Sequence, residues 1–65
     1  MKIKVLKENG IEARSLDNAK QKHYAKGSVV PIKKCSSDLF DFNLTHFFDF
    51  DGYVFTLKGD EILSV

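Results

Sequence analysis

The side chains in this chain best suited to metal binding or acid–base chemistry are His23, Cys35 and His46, with the closely spaced carboxylates Asp49 and Asp51. A metal site needs such residues clustered, yet the two histidines and the cysteine stand apart, with no Cys-x-x-Cys and no histidine pair four residues apart. Neither a metal nor a cofactor is expected. A nucleophilic site built from Cys35, a histidine and an aspartate would need a cleft that excludes water, and a core of this size offers little room for one. Asp49 and Asp51 point to one side of an extended segment, but Asp51 falls in a turn, so both read as solvated turn residues and not as a catalytic dyad. Gly10, Gly27, Gly52 and Gly59 are dispersed singly, which removes a phosphate-cradling loop. The chain therefore reads as a binding protein without catalytic residues. Cys35 is expected as a buried structural thiol, His46 as a hydrogen-bonded core or strand-end residue, and His23 as an exposed one.

Charge is the most informative property. Residues 1–34 carry nine cations against three carboxylates, a net of +6, whereas residues 35–65 carry Lys58 against six carboxylates, a net of −5. Such asymmetry points to a charged partner of either sign. Two binding surfaces follow. In the first, Asp38, Asp41, Asp49, Asp51, Asp60 and Glu61 present an acidic face to a basic site on a larger protein complex, including one that normally holds nucleic acid. Phe47, alone among polar residues in its row, would be its apolar anchor. By size and charge alone this is analogous to the small acidic inhibitors of phages and mobile elements. In the second, Lys20, Lys22, Lys26, Lys33 and Lys34 bind nucleic acid, with Tyr24 available for stacking. Arg14 is the only arginine, which disfavours bidentate reading of guanine. Charge density constrains imitation of DNA: duplex DNA carries one charge per ~1.7 Å of axis, so three aspartates on one strand are too sparse. Asp38, Asp60 and Glu61 would have to converge with them. Self-association is left open.

Positioning these residues falls to elements read from periodicity. Lys2 to Lys7 alternates lysine with apolar residues, the period of a half-buried strand, and Asn9-Gly10 predicts a two-residue type I′ hairpin into a strand over Ile11 to Arg14. That register pairs Lys7 with Glu12. Ser15, Asp17 and Gly27 predict a helix from Leu16 to Lys26, capped at both ends. Ser28 to Lys34 contains Pro31 and reads as an edge strand or an irregular extended piece. From Phe40 to Asp51 alternation places Phe40, Phe42, Leu44, His46, Phe48 and Phe50 on one face, with a break near Leu44 to His46; a helix from Asp38 to Phe48 is the rival reading. Asp51-Gly52 then predicts a second type I′ hairpin pairing Phe48 with Phe55, and Gly59-Asp60 a turn into a last strand that completes a meander.

The expected architecture is a single α+β domain of order ββαββββ. The chain is too short for two cores. No stretch approaches the ~18 apolar residues of a membrane span, and the lysine-interrupted N-terminus lacks the apolar run of a signal peptide, so no membrane partner and a cytosolic location are expected.

Overall fold

A computed structural model describes every residue from Met1 to Val65. Seven strands follow one another: β1 (Lys2–Val5), β2 (Ile11–Ser15), β3 (Gln21–Tyr24), β4 (Val29–Ser37), β5 (Leu44–Asp49), β6 (Tyr53–Lys58) and β7 (Ile62–Ser64), with one 3₁₀ turn, Gly59–Glu61, before the last. All pairings are antiparallel, in the order β3-β2-β6-β5-β4-β1-β7. The sheet curls into a half-barrel whose concave side holds the core. The expected α+β class is thus corrected to all-β. No helix is long and apolar enough to cross a membrane.

The segment expected as a helix is a turn followed by β3. Ser15 Oγ donates to Asp17 Oδ1 at 2.6 Å and accepts from Lys20 N at 3.0 Å, and Asp17 Oδ1 accepts from Ala19 N at 3.0 Å. Side chains that cap helices close Asx and Ser turns equally well. Asn18 adopts a left-handed φ of 60°, a conformation asparagine tolerates and a helix interior does not. The strand wins because it packs better: a helix from Leu16 to Lys26 would turn only Leu16, Ala19 and His23 or Tyr24 inward, whereas in β3 the Tyr24 ring lies 5.9 Å from Phe55.

The first predicted hairpin is also replaced. Gly10 has φ 74° but Asn9 is not left-handed, so no type I′ turn forms, and β1 pairs with β4 and β7 instead of β2. Lys7 meets Glu61 at 3.6 Å, while Glu12 meets His23 at 2.7 Å. The ring of His23 and the Tyr24 carbonyl press so close on Gly10 that a Cβ there would collide with both. β4 is an interior strand between β1 and β5 and not an edge. Pro31 is tolerated because pairing with β5 starts only at Ile32, so the missing N–H has no ladder acceptor on that side. The last strand, β7, pairs with β1 and not with β6.

The largest correction concerns a face. A two-residue loop would pair Phe48 with Phe55, but the observed register pairs Phe47 with Phe55 and Phe48 with Val54. Gly52 is left-handed (φ 86°) and Asp51 is not, which fits a three-residue turn over Phe50, Asp51 and Gly52. One extra turn residue slips the register by one and exchanges the faces of the whole strand. Phe47 enters the core at 1% exposure, stacked on Phe55 with centroids 5.5 Å apart, and Phe50 is left 67% exposed. Around the two rings pack Ile3, Val5, Ile11, Ala13, Val30, Ile32 and Leu57.

Candidate functional site

Between β4 and β5 the chain makes a six-residue loop, Asp38 to Asn43. Its backbone is pinned by carboxylates. Asp38 Oδ2 accepts from Phe40 N at 3.0 Å and Asp41 N at 2.9 Å, and Asp41 Oδ1 accepts from Asn43 N at 3.0 Å. Two backbone bonds close the base, Asp38 N to Leu44 O and Leu44 N to Asp41 O, each 3.0 Å. Asp38 Oδ1 lies 2.8 Å from His46 Nε2, and His46 Nδ1 lies 2.8 Å from Thr56 Oγ1 on β6. The bonds from His46, and then from the two loop amides, hold the Asp38 carboxyl below the usual carboxylate range.

On this braced loop Leu39, Phe40 and Phe42 are 86%, 96% and 87% exposed. Leaving three large apolar side chains in water is unfavourable by roughly 1.5–3 kcal/mol each relative to burial. A contiguous apolar group on a rigid support is the mark of a contact surface. The expected strand from Phe40 begins only at Leu44, which is why Phe40 and Phe42 leave the core row. Asp38, Asp41 and Asn43 within six residues carried the signal for a loop, since each can bind backbone amides two or three residues on.

The acidic residues named from the sequence divide into engaged and free. Asp49, 4% exposed, accepts from Tyr24 Oη at 2.7 Å and from Asp51 N and Tyr53 N at 2.9 Å each. Burial pushes its carboxyl up, but these bonds and the Lys22 charge outweigh it, and its pKa lies below the ordinary value. Asp51 pairs with Lys22 at 3.0 Å. Glu61 accepts from Lys58 N at 2.8 Å and faces Lys7. With Asp38 anchoring its loop, only Asp41 and Asp60 remain exposed without a cation within 4 Å. Those two share one hollow with Phe42, Asn43, Thr45 and Lys58 beside the loop. The six acids therefore do not converge, and Phe47 lies in the core instead of serving as an exposed anchor.

The basic set divides likewise. Lys22 lies over the Tyr24 and Tyr53 rings at 5.1 and 4.9 Å from their centroids and bonds Asp51, and Lys26 bonds Glu8 at 2.7 Å. Tyr24 is half-buried, with its hydroxyl on Asp49, and offers no free stacking face comparable to Phe40. Lys20, Lys33 and Lys34 are exposed and unpaired with any carboxylate. Cys35, expected to be buried, is exposed. His23 is exposed as expected, but on a strand.

The line Asp38–His46–Thr56 has the composition of an acid–histidine–hydroxyl relay. Its geometry is accounted for by anchoring: His46 and Thr56 are direct cross-strand partners, and the second Asp38 oxygen is taken by two loop amides. Compared with known protein families, curated proteins and solved structures, the chain matches none.

Proposed function

We propose that this protein is a small binding module that docks onto a larger protein through the Asp38–Asn43 loop. The observation that carries the reading is the near-complete exposure of Phe40, Phe42 and Leu39 on a loop whose amides are held by Asp38. Rigid aromatic anchors lose little entropy on binding and dominate interface energies when a pocket receives them. Asp41 and Asp60 beside them select a pocket with a cationic rim. A nucleic-acid-handling complex offers such rims, and occupying one would inhibit it. The mode supported is ring insertion with an acidic border, because four of the six acids in the second half are paired with another side chain.

The test places a photo-crosslinking phenylalanine analogue at position 40 and exposes the protein to lysate of its source cell. The expected result is crosslinking to one protein, abolished by excess unlabelled wild type and not by excess Phe40→Ser/Phe42→Ser. Crosslinks insensitive to competition, or none, overturn the reading.

A further inference from the structure

We propose that the convex face of the sheet binds single-stranded nucleic acid, with Lys2, Lys4, Lys34 and Arg14 contacting phosphates and Phe50 stacking on a base. This surface is separate from the aromatic loop and uses residues other than most of the lysines that the sequence pointed to.

A slip in β4 creates the face. Ile32 pairs with Asp49 but Lys34 pairs with Phe48, so Lys33 is the extra residue of a bulge. A bulge re-aims the side chains that follow it. Lys34 thereby turns to the outside of the sheet, although it lies two residues beyond the buried Ile32. Directly opposed residues project to one face, and the register forms a row across four strands: Lys34 on β4, Phe48 on β5, Val54 on β6 and Arg14 on β2. Lys34 Nζ sits 4.8 Å from the centre of the Phe48 ring. An aromatic ring therefore positions this ammonium, and no carboxylate neutralises it.

Lys2 and Lys4 alternate with the buried Ile3 and Val5, so they project to the same convex side. Pro31, opposite Lys2, precedes the Ile32–Asp49 pair, and Phe50 follows it, which brings the exposed ring to the margin of these cations. Arg14, Lys2, Lys4, Lys33 and Lys34 have no carboxylate within 4 Å, while the neighbouring Asp51 is held by Lys22. At ~4.8 Å between strands, the four steps from β1 to β2 spread the cations over about 19 Å. Unpaired cations along a path with an open aromatic ring are the elements of single-strand recognition. Duplex reading is disfavoured, because only one arginine is available for bidentate base contacts.

The experiment is fluorescence anisotropy of the intact protein with labelled 20-nucleotide dT and rU strands, a duplex of equal length, and anionic phospholipid vesicles in place of the oligonucleotide. With four phosphate contacts, from Lys2, Lys4, Lys34 and Arg14, single-strand affinity should fall about fifty-fold between 50 and 200 mM salt, since the slope is roughly −0.7 per contact. Arg14→Glu/Lys34→Glu should weaken binding at least about tenfold at 50 mM salt. Phe50→Ala should weaken it with an unchanged salt slope. Lys26→Glu, off this face, and Phe40→Ser/Phe42→Ser should each stay within about twofold. Circular dichroism confirms that each variant folds. No single-strand binding at 50 mM salt, stronger binding to duplex or vesicles, or equal losses in Lys26→Glu and Arg14→Glu/Lys34→Glu overturns the proposal. Loss in the loop variant assigns the activity to the loop instead of the face and equally overturns it.

Discussion

Asp38 and Asp49 do the same local job in two places. Each carboxylate gathers two backbone amides of the loop or turn that follows it and one side-chain partner, His46 for Asp38 and Tyr24 for Asp49. The outcomes are opposite. The Asp49 carboxylate is almost fully buried beside Tyr24 and Lys22 and ties its turn to the core, although Phe50 in that turn stays exposed. The loop after Asp38 stays in water and carries three apolar side chains outward. One local device thus serves stability where its surroundings are apolar and presentation where they are not. What separates them is the partner's location: Tyr24 packs against the core cluster, whereas His46 lies on the convex face.

The largest effect should come from Asp49→Ala. It strands the Tyr24 hydroxyl and two turn amides in or near the core and leaves Lys22 without its buried counter-charge. A loss of roughly 2–4 kcal/mol is expected from urea unfolding, given ~1–3 kcal/mol for each buried group left unpaired. Asp49→Asn keeps an acceptor toward the turn and should lose less. In a domain this small such a loss is a large share of total stability. If Asp38→Ala proves equally destabilising, the contrast between the two regions is broken.

Acid should act in the same direction. Asp49 titrates below its ordinary value of 3.8 in the folded protein, so the folded state favours the ionised form. Its contribution is complete above the unfolded pKa and is lost as pH falls through the folded one. Unfolding free energy should hold steady near neutrality and decline from about pH 5 downward, through and below 3.8. Asp17, Asp38 and Glu61 shift the same way but are more exposed, so the decline should be shallower in Asp49→Asn than in wild type. Equal slopes for the two proteins would remove Asp49 as the main source.

How much of this was legible follows from particular residues. The strand over Lys2–Val5 follows from alternation; those over Ile11 to Arg14 and from Tyr53 came with hairpins whose turn types the structure replaces, and the break expected near Leu44 to His46 falls earlier, in the Asp38–Asn43 loop. The helix failed because Ser15 and Asp17 close a turn with the same oxygens that would cap a helix, and local chemistry does not choose between them. The inverted face of β5 failed for a different reason. Six apolar or aromatic residues at even positions outweighed Phe47 alone, yet a single extra turn residue, which Asp51-Gly52 permits, decides the register. The acids failed to converge because half of them found partners across the sheet: Lys22 for Asp51, Tyr24 for Asp49, and Lys7 for Glu61. Such pairings belong to strand order, which periodicity does not contain.

The smallest expected effect is the one that sharpens the comparison most. Asp38→Ala removes the acceptor for Phe40 N and Asp41 N but exposes no core, so the melting temperature should move far less than in Asp49→Ala. The loop itself should loosen. Amide hydrogen exchange at Phe40 and Asp41 should quicken while the amides of β5 and β6 keep their protection, because their ladder bonds are untouched. His46→Ala should produce a weaker version, since it removes the brace to Thr56 and leaves both Asp38 amide bonds in place. This graded response separates order in the loop from stability of the fold. If docking through the loop needs the preorganised backbone, crosslinking from position 40 should fall in that order, wild type above His46→Ala above Asp38→Ala, with all three proteins folded. An unchanged yield across the three would mean that the aromatic side chains act without the Asp38 brace.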